Sequence, residues 1–268
     1  MNEILYGNYY FSGNRYNNLK MSYSKALVIS NYNWNLEWIK STYQYGFSPD
    51  NTFIYDKSDN QVDWSHLGKV TKSPNYGANQ HDILNFIIDN YECLPDVSIF
   101  IKGNLFSRGE NYYTTEERFV EALDTKELFS IWVDKNVLVE DYRHTDYTPL
   151  ETLREGRLIQ PVSCCNYVYN NDLENRYFSN HHDLLDWCFV NPPKLNTIEF
   201  IPASNFVVPK ENILKYSKNL YNKLKEVLNY KPALQYDPTC AEAHIVERIF
   251  YLIWNENLVE RNYTHDYK

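Results

Sequence analysis

Short apolar runs alternate along this chain with stretches in which apolar residues return every three or four positions. Ala26 to Ile29 (ALVI), Thr52 to Tyr55 (TFIY) and Val97 to Ile101 (VSIFI) are compact runs bounded by polar residues, the mark of buried strands. Gly68 to Lys72 reads as a further strand. Between these runs the period lengthens. Leu36 to Tyr43 reads as a short helix with Asn33 or Asn35 as its cap. Over 78–91, Ile83, Ile87 and Tyr91 share one helical face. Leu94-Pro95-Asp96 ends that helix.

The second half is less regular. Thr114 and Glu117 read as a capping box for a helix carrying Phe119, Val120 and Leu123. From about 124 to 196 the pattern is irregular and loop-rich. Ile198 to Ile201 and Phe206 to Val208 are strand-like. Lys210 to Leu228 reads as one long helix. Thr239 and Glu242 read as a second capping box, opening a helix with Ile245, Ile249 and Ile253 along one stripe. Strands alternating with helices, without repeat or linker, predict one α/β domain with a mostly parallel, nucleotide-binding-like central sheet flanked by helices. The expected divisions are an arm at 1–22, the domain at 23–256 and a tail at 257–268.

Composition narrows the partners. The chain has 268 residues and a net charge of -9, from 35 acidic and 26 basic residues. A surplus of acid opposes binding to long nucleic acid, which rests on phosphate neutralisation. No apolar run nears the ~20 residues that span a bilayer. The N-terminus lacks the basic and apolar regions of a signal peptide. The five cysteines are odd in number and irregularly spaced, which points to a reducing compartment, the cytoplasm. Aromatic residues make up 16% of the chain, and 25 residues are Tyr. Codon bias in an AT-rich genome and a sugar-stacking surface both explain that excess. The neighbours His181 and His182 read as solvated loop residues rather than a metal site.

No GxGxxG, P-loop, HExxH or GxSxG motif is present. What remains is polar chemistry at strand ends, where open α/β sheets bind ligands. The first strand delivers Ser30, Asn31 and Tyr32, the second Asp56 and Lys57, and the strand at 97–101 delivers Lys102, Gly103 and Asn104. Asn75-Tyr76-Gly77 leads into a helix whose first amides suit an anion.

The order of these segments resembles the family labelled domain of unknown function 3431. The resemblance rests on Asn31-Tyr32-Asn33 through Trp38, on Ile54-Tyr55-Asp56-Lys57 and on Asn75-Tyr76-Gly77. It continues in Asp89-Asn90-Tyr91, Leu94-Pro95-Asp96-Val97, Phe100 and Gly103. Later come Pro202, Ala203, Phe206, Val208 and Ile213, then Glu247-Arg248, Ile253 and Trp254. It covers about residues 26 to 256, and the middle segment is its most specific part.

That layout is similar to a GT-A glycosyltransferase, which implies a sugar-nucleotide donor and a glycan or small hydroxylated acceptor. In such enzymes a D-x-D after the buried strand holds a divalent cation, manganese or magnesium, on the donor diphosphate. This chain has Lys102-Gly103-Asn104 there, and its nearest substitute is Asp172-Leu173-Glu174. The resemblance therefore implies transfer without a metal, through cationic groups, ahead of metal-dependent transfer through other carboxylates.

On this reading Asn31 and Asp56 hold base or ribose. Lys57 and Lys102 face the phosphates, Gly77 permits close backbone approach, and Asn104 completes the donor pocket. Ser204 and Asn205 line the acceptor side. Glu247 is the expected general base, with His244 three residues earlier on the same face. The alternative is a non-catalytic carbohydrate-binding or scaffold protein of the same fold.

Overall fold

The structure, a computed structural model, describes residues 23–59, 62–106, 114, 116–131, 157–161, 176–236 and 242–262. Chain order runs β1 (Lys25–Asn31), a 3-10 helix (Glu37–Tyr45), β2 (Thr52–Asp56), β3 (Lys69–Lys72), α1 (Ala78–Asn90), β4 (Val97–Lys102), α2 (Glu116–Asp124) and β5 (Phe129–Ser130). It continues through β6 (Leu158–Pro161), α3 (His181–Cys188), β7 (Thr197–Phe200), a 3-10 turn (Pro202–Ser204), β8 (Phe206–Pro209), α4 (Lys210–Ile213), α5 (Lys218–Leu228), α6 (Lys231–Tyr236) and α7 (Ala243–Asn255).

Among the described residues the main sheet has six strands in the order β3-β2-β1-β4-β8-β5. β1 through β4 run parallel, and β8 alone runs opposite to its neighbours. β6 and β7 form a separate antiparallel pair. Strand periodicity divides the core between two faces. Leu27, Ile29, Ile99 and Ile101 point to one face, under Leu36, which caps the 3-10 helix, Ile39 within it, and Phe119 and Leu123 of α2. Val28, Phe100, Phe206 and Val208 point to the other, under α1, α5 and α7. There Trp254 lies parallel to Phe250, with ring centroids 4.8 Å apart. Each such fully buried side chain stabilises the fold by about 1.5–3 kcal/mol. The expected α/β class with a mostly parallel sheet flanked by helices is the observed one.

Several elements differ from the sequence reading. The helix expected over 210–228 is two helices, α4 and α5. Ser217 starts the second, accepting from the Leu220 amide at 3.4 Å, while Glu260 accepts from the Ser217 amide at 2.8 Å and from its hydroxyl at 2.6 Å. The stretch from 257 is tied down by the same contacts and by Val190 N–H donating to Val259 and Arg261 N–H to Cys188. The irregular region contains β5, β6 and α3. Thr114 donates its hydroxyl to the Ile131 carbonyl at 2.5 Å. The last long helix starts at Ala243 with Glu242 as its cap, and Thr239 lies outside the described residues.

His181 and His182 open α3 rather than lying in a loop, and His182 is half-buried. His181 is fully buried, and the His182 ring contacts the Leu195 backbone. Among the described tyrosines, only Tyr32 and Tyr177 stand exposed. Among the described residues no helix is long and apolar enough to cross a membrane.

Candidate functional site

Parallel strands aim their carboxyl ends at one edge, and the expected donor residues gather there. β1 and β2 pair with Asn31 opposite Asp56, and β1 and β4 pair with Ser30 opposite Lys102. The Asn31 amide donates to Asp56 Oδ1 at 3.2 Å and to Ser58 Oγ at 3.3 Å, and its oxygen accepts from the Trp34 amide. Asn33 adopts a left-handed φ of 60°, and its N–H donates to Ser58 Oγ at 2.7 Å. Lys72 donates to Asp56 Oδ2 at 2.6 Å. Burial alone would raise the Asp56 carboxyl; hydrogen bonds from Lys72 and Ser58 outweigh it and hold the group below the usual carboxylate range. Gly103 closes tightly on this network: a Cβ there would meet Asn31 Oδ1 at 2.5 Å.

Lys57 is committed elsewhere. Its ammonium sits 3.1 Å from Asp82 Oδ1 and donates to the carbonyls of Pro74 at 2.9 Å and Tyr76 at 3.4 Å. Both partners are buried, at 5% and 0% side-chain exposure. Burial pulls the lysine pKa down, and Asp82 opposes that pull. Ser73 adds a 2.5 Å hydrogen bond to the same Asp82 oxygen. This cluster staples the segment before α1, and a phosphate at Lys57 would have to displace Asp82. Lys102 is partly buried at the end of β4, and its N–H donates to Asn205 Oδ1 at 3.0 Å. Asn104 lies in the turn that follows.

Gly77 caps α1 in the left-handed conformation, φ 66°, without a side-chain cap. No acidic residue stands in the first turn. The next residues, Asn79 and Gln80, are polar yet buried, at 4% and 2% exposure. The Asn79 amide donates to the carbonyls of Ala203 at 2.8 Å and Ser204 at 3.4 Å. Gln80 donates to Ser204 Oγ at 2.7 Å, and Ser204 Oγ donates to Glu247 Oε1 at 3.4 Å. Arg248 holds the other Glu247 oxygen at 2.5 Å and lies over the Phe200 ring. His244 Nδ1 is 3.9 Å from the same oxygen. The structure thus brings Ser204, Asn205, Glu247 and His244 to the carboxyl edge that also carries Asn31 and Lys102. Sequence reasoning missed Asn79, Gln80 and Asp82. Their one local signal was a polar run, NQHD, at the start of a helix otherwise rich in buried apolar residues.

A second buried polar group adjoins α7. Glu242 accepts from the Tyr177 amide at 3.0 Å; burial raises its pKa, against that hydrogen bond and the Arg176 charge. Burial, then the charges of Arg248, Arg176 and His182, lowers His181 to about 3, so its ring is neutral in the native state.

The end of β4 does not fit a divalent cation. Such ions take carboxylate and carbonyl oxygens, and this turn supplies Lys102, Gly103 and Asn104 instead. The strand-end carboxylate Asp56 is engaged by Asn31, Ser58 and Lys72. Among the described residues no group of three or more His, Cys, Asp or Glu converges. Asp172 and Glu174 lie outside those residues.

Fold and edge chemistry define an α/β protein with its polar groups collected at the carboxyl side of a mostly parallel sheet. The family model described as "Protein of unknown function (DUF3431)" matches residues 27–266, and the chain belongs to that family. No curated protein and no solved structure matches it.

Proposed function

We propose that this protein is a glycosyltransferase that binds a sugar nucleotide at the carboxyl edge of β1, β2 and β4 and transfers the sugar to a hydroxylated acceptor. The observation that carries the reading is the strand order. β1 and β4 are neighbours, yet the chain builds β2, β3 and α1 between them, so the order reverses at that pair. Open α/β sheets bind ligands outside the strand ends at such a reversal. Here those ends carry Asn31 and Lys102, with Asp56 beside them.

The chemistry follows from the groups at hand. As the sugar leaves, negative charge grows on the diphosphate and needs fixed positive partners. Lys102 and the uncapped first amides of α1 supply them. Glu247 takes the acceptor hydroxyl's proton through Oε1, which accepts a 3.4 Å hydrogen bond from Ser204. Arg248 orients the carboxylate by holding Oε2, which leaves Oε1 turned toward Ser204.

A second reading, a non-catalytic glycan-binding protein, is favoured by one observation: the Glu247 carboxylate is already held by Arg248. Thermal-shift and calorimetric screening of nucleotide sugars, with and without manganese, followed by a donor-turnover assay, separates the two. Donor binding with turnover supports the transferase. Glycan binding without donor binding supports the second reading.

A further inference from the structure

We infer that the corner between the first turn of α1, the Pro202–Ser204 turn and α7 is a subsite for the hydroxyl groups of a sugar ring, recognised by the side-chain oxygens of Asn79, Gln80 and Glu247. The inference rests on the sugar-nucleotide reading for the source of the ring, and on separate observations for the site.

The orientation of both amides is fixed by their partners. Asn79 faces two carbonyls, which only accept, so its nitrogen must point at them. Ser204 Oγ uses its proton on Glu247, so it accepts from the Gln80 nitrogen. The opposite ends, Asn79 Oδ1 and Gln80 Oε1, therefore point away from these partners, and both are buried without a hydrogen-bond donor among the described residues. A buried acceptor left unpaired is costly, and native proteins keep few of them.

The surroundings explain which guest fits. The turn presents the carbonyls of Ala203 and Ser204 to Asn79, and Glu247 adds a carboxylate, so the groups around the two amide oxygens are mainly acceptors. At those two oxygens an anion would meet lone pairs. An ammonium would meet Arg248 and His244 beside Glu247. A hydroxyl fits both sides, because it donates to the amide oxygens and accepts from cations. The turn itself is under strain: Ala203 and Ser204 hold φ of 60° and 51° without a glycine between them. Such backbone concentrates at ligand clamps and moving segments. Admission of the ring requires this turn to shift, and relaxation of two left-handed residues favours that shift.

The test uses the full chain and three probes: nucleotide sugars, the matching nucleoside diphosphates and free monosaccharides. Binding is read by calorimetry and by the NMR side-chain amide signals of Asn79 and Gln80. In Gln80→Met, which keeps the length and loses the acceptor, affinity for sugar-bearing ligands should fall at least ~10-fold. Affinity for the nucleoside diphosphate should stay within about 2-fold of wild type. In the wild type, sugar-bearing ligands should shift both side-chain signals and the diphosphate alone should not; this readout decides if the variant fails to fold. Unchanged sugar affinity in a folded Gln80→Met, or unmoved side-chain signals with a bound sugar ligand, overturns the inference. If nucleotide sugars fail to bind but free monosaccharides shift these signals, the subsite stands and the sugar-nucleotide reading falls. If neither class binds, both fall.

Discussion

The donor edge and the α1–α7 corner are neighbours built on opposite principles. At the donor edge the hydrogen-bond partners are nearer in sequence and mostly paired: Asn31 with Asp56 and Ser58, Lys57 with Asp82 Oδ1, Asp56 with Lys72, while Asp82 Oδ2 is buried without a partner among the described residues. In the corner, Gln80 and Ser204 meet across 124 residues, two amide oxygens lack donors among the described residues, and the backbone turns left-handed at Ala203 and Ser204. A satisfied network holds a fold in place. An unsatisfied, strained one is suited to a guest. Damage to the edge should therefore register in stability as well as in nucleotide binding, and damage to the corner mainly in sugar binding and turnover.

The largest effect expected is at Asp82. Asp82→Ala leaves the Lys57 ammonium buried without its counter-charge and should cost about 3–5 kcal/mol in denaturant unfolding. A loss under ~1 kcal/mol would mean that the pair is not the staple described. Next comes Glu247→Gln, which keeps shape and most contacts. Transfer should fall at least ~100-fold while donor affinity and melting temperature stay close to wild type. Near-normal transfer would remove Glu247 as the base, and an unfolded variant would assign it to structure instead.

Gly103→Ala probes how tightly the edge is closed. Its Cβ would stand 2.5 Å from Asn31 Oδ1, so Asn31 must release the Trp34 amide. The expected cost is about 1–3 kcal/mol, typical of overpacking. A neutral substitution would show that the β1–β4 contact is looser than the distances imply.

The smallest effect is a slope in pH. His181 is held near pKa 3 in the native state against an ordinary value of 6.5. As pH falls below 6.5 the unfolded chain takes up a proton that the native ring refuses, so stability drops down to about pH 3. His181→Leu should remove up to ~1.4 kcal/mol per pH unit from that slope. Glu242, raised by burial, acts the other way: its contribution is present at low pH and lost as pH rises through its native pKa, so it softens the acid loss. Parallel denaturation of both proteins between pH 4 and pH 7 measures the difference; identical slopes would contradict the buried, neutral ring.

How much of this was legible in the sequence follows the same division. β1, β2, β4 and α1 were legible because each carries its own apolar pattern, and the strand-end residues followed from their boundaries. α3 was not, although His181, Leu184, Leu185 and Cys188 are buried at helical spacing. Two histidines at its start read as surface, since nothing local tells that α7 and Arg176 will cover them. The break between α4 and α5 depends on Glu260, 43 residues away, capturing Ser217. Asn79 and Gln80 are polar residues whose partners lie in a turn beyond the reach of any local pattern. Local periodicity reports burial against the sheet; it is silent on polar contacts made only after the chain has closed.

The central claim is that the carboxyl edge of β1, β2 and β4 holds the nucleotide. Hydrogen–deuterium exchange of the full chain, with and without a saturating nucleotide sugar, tests it most directly. Slowed exchange should concentrate in segments 31–36, 56–58, 76–81 and 102–105, the strand-end loops and the first turn of α1. Protection confined to β3, α5 or the β6–β7 pair, or no protection with any nucleotide sugar, would contradict it.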